Sequence, residues 1–251
     1  MAGRESDLRG RWVRGATWQV SRLAVEVLER PLAVKRKRFR DREDAGRQLA
    51  ERLAWYRDEN PIVLALPRGG VPVGYEISRL LEAPLDVFIA RKLCAPGRPE
   101  LGIGAVAQGG VRVLSARTVK ALDIPKEYIE RVAERETAEI KRRLRLLRGD
   151  RPEPEVQGRT AILVDDGLAT GVTAWAAIRA LIERDPRRLV LAVPVCAAQT
   201  TEAISSEVDD LVCIETPFDL MAISIWYRNF QQVPDEEVIK LLKNAQRSTA
   251  E

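Results

Sequence analysis

One segment constrains this chain more than any other: Ala161-Ile162-Leu163-Val164-Asp165-Asp166-Gly167-Leu168-Ala169-Thr170-Gly171-Val172-Thr173. Four apolar residues run into two acids and a turn of small and hydroxyl residues, after which Trp175, Ile178, Leu181 and Ile182 recur at helical spacing. That order describes a buried parallel strand, a loop at its carboxyl end and a helix start. Gly171 lets backbone N–H groups approach an oxyanion, Thr170 and Thr173 offer hydroxyls, and the helix adds the positive end of its dipole. Such a loop suits a phosphate monoester. Asp165 and Asp166 would repel that phosphate, so they point to hydroxyls or a magnesium-bound sugar beside it. Phosphate and diol together describe a phosphorylated ribose, although a strand followed by Asp-Asp-Gly is also the pattern of a plain surface turn.

The flanking sequence places this unit in a repeating order. Asp41 can cap a helix carrying Ala45, Leu49, Leu53 and Ala54, and Asn60-Pro61 stops it. Ile62 to Leu66 reads as a strand, Pro67-Arg68-Gly69-Gly70 as a tight loop, Val71 to Leu81 as a helix and Leu85 to Ala90 as a second strand, a βαβ unit. Lys92 to Leu101 reads as a mobile loop, and Ile103 to Leu114 as a hairpin around Gln108-Gly109-Gly110. Pro125 to Arg148 reads as a long helix with acids early and bases late, its basic end solvated. After residues 161–182 come a strand over Leu189 to Val193, a helix over Gln199 to Ser206 and a strand over Leu211 to Glu215. The fold class expected is α/β, a mostly parallel sheet flanked by helices, with ligands at the carboxyl ends of the strands.

Composition prunes the chemistry. The 251 residues contain no histidine, which removes Ser-His catalysis, imidazole acid–base steps and His-ligated zinc. Cys94, Cys196 and Cys213 have no paired spacing and suggest neither a disulfide framework nor a zinc site. No apolar run reaches the ~20 residues of a membrane span, and the N-terminus lacks the apolar core of a signal peptide. A cytoplasmic protein is expected. The basic run from Arg30 to Arg42 is either a solvated linker or a surface for nucleic acid or another polyanion; Phe39 is the only aromatic residue within it, which favours the linker.

Two further loops at strand ends carry cations. Arg68 stands beside Gly69 and Gly70, whose backbone amides can close around an anion, or the four residues are an ordinary Pro-Gly turn. Arg91-Lys92 follows the second strand and is either a solvent-exposed pair or a second source of positive charge for the same anion.

With these residues on the page, the chain resembles the type I phosphoribosyltransferases. The apolar strand, paired acids and T-G-x-T loop are similar to the family's phosphoribosyl-diphosphate motif, and Pro67 to Gly70 to its diphosphate loop. Phe39-Arg40-Asp41-Arg42, Leu66 to Gly70, Arg91-Lys92-Leu93, Gly104-Ala105-Val106, Val164 to Thr173 and Trp226-Tyr227-Arg228-Asn229-Phe230 together resemble a little-characterised bacterial group of predicted phosphoribosyltransferases. The resemblance implies a type I phosphoribosyltransferase fold over residues 39–245 with a small hood near 215–232, an N-terminal basic extension over 1–38 and a tail over 246–251.

It also implies transfer of phosphoribose from 5-phosphoribosyl 1-diphosphate to a nitrogenous base, with Mg2+ and release of diphosphate. Ala169, Thr170, Gly171, Val172 and Thr173 would bind the 5'-phosphate. Arg68, Gly69, Gly70, Arg91 and Lys92 would bind the diphosphate. Asp165 and Asp166 would hold the ribose hydroxyls, and with Arg68 and Lys92 they form the catalytic set. No side chain is assigned as a direct magnesium ligand; Asp165 and Asp166 would reach the ion through water. Phe218, Trp226 and Tyr227 are hood residues that either stack on the acceptor or pack the tail onto the sheet.

The family's 6-oxopurine enzymes place an acid where this chain has Ala169, and the Ala-Thr-Gly sequence is closer to the adenine enzymes. The acceptor base stays open. The resemblance further implies a homodimer and a loop over Lys92 to Leu101 that closes on the sugar. The alternative is a phosphoribosyl-diphosphate-sensing regulator of the same fold that binds nucleic acid through its basic N-terminal segment.

Overall fold

The structure, a computed structural model, describes residues 39–248; the basic extension expected over residues 1–38 lies outside them. In chain order the elements are α1 (Arg42–Arg52), a 3-10 turn (Ala54–Glu59), β1 (Pro61–Ala65), α2 (Gly70–Leu81), β2 (Leu85–Val87), β3 (Ala90–Ala95), β4 (Arg98–Ala107), β5 (Arg112–Leu114), α3 (Ala116–Ala121), α4 (Lys126–Arg148), β6 (Thr160–Val164), α5 (Val172–Ile182), β7 (Arg188–Val195), α6 (Ala198–Ser205), β8 (Asp210–Glu215), a short 3-10 turn (Ile223–Trp226) and α7 (Asp235–Ser248). Local chemistry sets several boundaries. Asp41 caps α1 by accepting the Asp44 N–H at 2.8 Å, and Asn60 takes a left-handed conformation before Pro61 opens β1.

Five strands form a parallel sheet in the order β2-β1-β6-β7-β8. Every residue of β1 and of β6 is buried, as expected of a parallel strand covered on both faces. Their side chains alternate between two cores. Val63, Ala65, Ile162 and Val164 pack with Leu49 of α1, Ile77 of α2, Ile140 of α4 and Leu242 of α7. Ile62, Leu64, Ala161 and Leu163 pack with Ile178 of α5 and Ile204 of α6. The chain leaves β1 toward β2 in one direction and β6 toward β7 in the other, so the sheet reverses its winding between β1 and β6. That reversal opens a crevice at the carboxyl ends of neighbouring strands, and the register Ala65↔Val164 brings those two ends level.

A second sheet of three antiparallel strands, β3-β4-β5, corrects two expectations. The strand expected over Leu85 to Ala90 is broken: β2 ends at Val87, and Ala90 opens β3 in the other sheet. The segment expected to be a mobile loop, Lys92 to Leu101, is mostly the β3–β4 hairpin. Its turn-forming residues are concentrated at Pro96-Gly97, where Gly97 takes φ +65°, and Leu93, Ile103 and Val106 anchor the strands in the first core. The β4–β5 turn falls at Gln108 to Gly110 as expected.

The basic end of α4 is corrected at one residue, since Lys141, Arg142 and Arg145 are exposed as expected and Arg148 is not. Arg148 is buried rather than solvated, because its Nε pairs with the buried Asp86 of β2 at 2.8 Å and its Nη2 donates to the Val87 carbonyl. Among the described residues, no helix is long and apolar enough to cross a membrane.

Candidate active site

The loops after β1 and β6 meet at the crevice. The Leu66 N–H donates to the Val164 carbonyl at 2.8 Å, and the Gly70 N–H turns back onto the Leu66 carbonyl at 3.0 Å. The Pro67–Arg68 peptide bond within this tight loop is cis. Both glycines are required by close approach. A Cβ on Gly70 would fall 2.7 Å from the Val164 carbonyl oxygen, and one on Gly69 would fall 1.9 Å from Asp166 Oδ2. The loop expected to hold a diphosphate therefore packs directly on the acid expected to hold a ribose.

Asp166 is held from three further directions. Arg42 Nε donates to its Oδ2 at 2.8 Å, with the two side chains only 11% and 13% exposed. Its own N–H donates to Asp165 Oδ1 at 2.8 Å. Its carbonyl accepts the Tyr227 hydroxyl at 2.6 Å. Burial drives the Asp165 carboxyl well above the ordinary aspartate range, and the neighbouring Asp166 charge pushes it further. Burial also raises Asp166, with Arg42 pulling against that shift. Tyr227 is raised by burial and by the nearby Asp166. The acid pair is thus two carboxyl groups that ionise at a cost, a donor set that a cation or sugar hydroxyls would relieve.

Beyond the acids, the loop to α5 is stitched to β7 by the Leu168 N–H on the Val195 carbonyl, 2.8 Å, and by the Ala197 N–H on the Leu168 carbonyl, 2.9 Å. Gly171 caps α5 at φ +65°, where a Cβ would lie 2.8 Å from both Thr200 Cγ2 and Ile204 Cδ1. Thr200, on α6, donates its hydroxyl to the Ala169 carbonyl. Ala169 and Thr170 are exposed while the residues beneath them are buried, so this stretch forms a floor at the α5 N-terminus with its rim open to solvent.

The remaining expected site residues make contacts of their own. Arg68 Nη1 is 3.9 Å from Asp235 Oδ1, which also accepts Arg143 Nη2 at 2.8 Å. Arg91 is paired through Nε with Glu136 of α4 at 2.6 Å, and Arg135 joins the same carboxylate. Lys92 is exposed, with its aliphatic stem against Gly102. Phe218 is 87% exposed at the carboxyl end of β8. Trp226 and Tyr227 instead pack with Phe39, Ala45 and Val195, so their rings hold the C-terminal segment down while Phe218 presents a free face.

Sequence reading assigns no site role to Arg42 or Thr200. Arg42 stands in a run of basic residues, and its partner is 124 positions away. Its position directly after a helix-capping Asp41 is the one available signal, since it fixes which way α1 begins. On its other side Arg42 lines a cleft of about 440 Å³ bounded by Asp41, Asn229, Gln231 and Glu237. Among the described residues, no group of three or more Asp, Glu, Cys or His side chains could hold a metal ion. Asp165 and Asp166 are two adjacent carboxylates, a set that would suit a magnesium ion whose other ligands came from elsewhere.

Known proteins are similar to this chain in sequence and in fold. A crystal structure of TT1426 from Thermus thermophilus is similar at 40% sequence identity with a TM-score of 0.71, covering 82% of this chain and 98% of that one. Two proteins from strains of Mycobacterium tuberculosis, each named "putative phosphoribosyl transferase", are 42% identical over 215 residues, 86% of this chain and 48% of theirs. The chain thus spans about half the length of the curated relatives it matches. The sequence profile of the phosphoribosyl transferase domain matches residues 37–227, which include both loops of the crevice, Arg42, the acid pair and Tyr227. By that match, and by the parallel sheet that carries these loops, the chain belongs to the phosphoribosyl transferase domain family.

Proposed function

We propose that this protein transfers phosphoribose from 5-phosphoribosyl 1-diphosphate to a nitrogenous base and releases diphosphate. One observation carries the reading: Gly69 packs on Asp166, so an anion-binding loop and a diol-binding acid share a wall. A sugar carrying phosphate at one end and diphosphate at the other spans the two loops. The 5'-phosphate rests on the N–H groups of residues 169–173 at the α5 N-terminus, the ribose hydroxyls on Asp165 and Asp166, and the diphosphate on residues 68–70. Asp165 and Asp166 would reach a magnesium ion through water, and such an ion would supply charge neutralisation for the departing diphosphate.

In the reaction the bond from the anomeric carbon to the diphosphate oxygen breaks, and a bond to the acceptor nitrogen forms. The diphosphate leaves with the electron pair, and a proton leaves the nitrogen. Positive charge develops on the sugar between those events, next to the carboxylates of Asp165 and Asp166, which stabilise it without moving. Arg68, partly exposed and 3.9 Å from Asp235, turns onto the diphosphate as its cationic partner. The exposed Phe218 ring offers the acceptor a flat apolar face.

A second reading is a regulator that binds nucleic acid through its basic N-terminal segment; Arg42 and Arg40 at the end of that segment are engaged with Asp166 and Asp41, and its other cations lie outside the described residues. The test is magnesium-dependent diphosphate release from the donor across a panel of purines and pyrimidines. Release that needs one of the bases supports transfer. Donor binding with no release under any base, together with a salt-sensitive shift of DNA or RNA, supports the regulator instead.

A further inference from the structure

The guanidinium of Arg42 is held at two edges and one face. Nε bonds Asp166 Oδ2 at 2.8 Å, Nη1 bonds the Gln231 carbonyl at 2.7 Å, and the Phe230 ring lies 3.8 Å from the guanidinium carbon. A planar fork fixed in this way has one orientation, and it transmits that orientation to the carboxylate it grips. Phe230 in turn packs on Tyr227 at 4.9 Å between ring centroids, and Tyr227 holds the Asp166 carbonyl. The side chain and main chain of Asp166 are therefore gripped by one cluster built from the start of α1 and from residues 226–231. Gly69 closes the opposite side. Two of the five N–H donors of Arg42 and one of its faces are thus engaged within the protein, by Asp166, the Gln231 carbonyl and Phe230.

We propose that Arg42 is a positioning residue: braced on Phe230 and Gln231, it fixes the Asp166 carboxylate for the reacting sugar and links the C-terminal segment to the reacting centre. The inference rests on the transfer reading for its kinetic expression. Its purpose is pre-organisation. A carboxylate that must stabilise charge as it develops contributes most when it need not reorient during the reaction. An Arg–carboxylate pair buried to this degree also keeps its strength where an exposed pair would be screened.

The test compares Arg42→Met, Arg42→Lys, Phe230→Ala and the double variant Arg42→Met/Phe230→Ala, with thermal melts to confirm that each is folded. Arg42→Met lowers kcat on the order of 10- to 100-fold, the range found when an outer partner that orients a functional group is removed, while KM for the donor changes by less than about threefold. Arg42→Lys, which restores the charge without the fork, recovers part of that loss. Phe230→Ala lowers kcat in the same sense but less, and the double variant is no worse than Arg42→Met alone, because both changes release the same carboxylate.

An Arg42→Met enzyme with kcat within about twofold of wild type overturns the proposal, as do full additivity with Phe230→Ala or an Arg42→Lys enzyme no better than Arg42→Met. If the wild type binds the donor but releases no diphosphate with any base, the transfer reading falls alone. A crystal structure of Arg42→Met then decides on Arg42: an Asp166 carboxylate turned away from its wild-type orientation supports the role, and an unchanged carboxylate removes it. A wild type that does not bind the donor overturns both.

Discussion

Gly69 and Asp166 touch where the loop after β1 meets the acid pair, and a methyl group on Gly69 would lie 1.9 Å from Asp166 Oδ2 and 2.5 Å from its Cγ. Gly69 itself has φ −63°, a conformation open to any residue, so the constraint is space alone. Asp166 cannot swing aside without breaking its bond to Arg42. Gly69→Ala is expected to destabilise the fold by about 1–3 kcal/mol through overpacking and to lower diphosphate release by at least about tenfold. Gly97→Ala is the control: Gly97 has φ +65° but open space around it, so it loses about 1 kcal/mol and little activity. Denaturant melts and turnover on the two variants check both statements.

The acid pair predicts a trade between stability and function. Asp165 has its carboxyl raised by burial and by Asp166, so ionising it in the folded protein costs stability that the unfolded chain does not lose. For a raised carboxyl the native state is favoured below the unfolded aspartate value of about 3.9, and that advantage is lost as pH rises through the folded value. Asp165→Asn is therefore expected to be more stable than wild type at neutral pH. The difference narrows as pH falls, while turnover drops at every pH. Thermal melts from pH 4 to 8 measure the effect, and a variant less stable than wild type at neutral pH would contradict it.

Thr200 supports the phosphate floor from below through its hydroxyl on the Ala169 carbonyl. Thr200→Val keeps the shape under Gly171 and removes only that bond. The exposed carbonyl of Ala169 can recover a water, so stability falls by about 0.5–1.5 kcal/mol. KM for the donor is expected to rise on the order of 3- to 10-fold with kcat little changed, since the phosphate is bound equally in ground and transition states. Steady-state kinetics at saturating base separate the two.

The ion pair between Asp86 and Arg148 is a stability element remote from the chemistry. Both side chains are less than a tenth exposed, and Asp86→Ala leaves a buried guanidinium without its partner. A loss of about 3–5 kcal/mol is expected, against about 0–1 kcal/mol for removing Glu82 from its exposed pair with Arg57. Urea midpoints report both, and KM for the donor is unaffected in each case.

The parts of the fold that sequence makes legible are those with one dominant period. Residues 161–164 alternate between two buried faces and must be a covered parallel strand, and Asp41 with Asp44 writes the start of α1 in four residues. The β3–β4 hairpin is not legible, because Pro96, Gly97 and Pro99 carry loop composition while the strand signal lies in a few buried residues such as Leu93 and Ile103. The same limit applies to the crevice. Asp165, Asp166 and residues 169–173 are contiguous and announce their chemistry locally. Arg42, Thr200 and Asp235 act through contacts that only the folded chain creates, and a basic run, an ordinary threonine and a helix-starting acid give no hint of those partners.

The proposed transfer requires that the two loops serve one donor molecule. The measurement that reaches this most directly follows diphosphate and nucleoside monophosphate together, from 5-phosphoribosyl 1-diphosphate, magnesium and each of a panel of bases, in wild type and in a folded Asp166→Asn variant. The predicted result is equal amounts of both products with at least one base in the wild type, falling on the order of 100-fold in the variant. Equal turnover in the two proteins, or diphosphate released without any nucleotide formed, would contradict it.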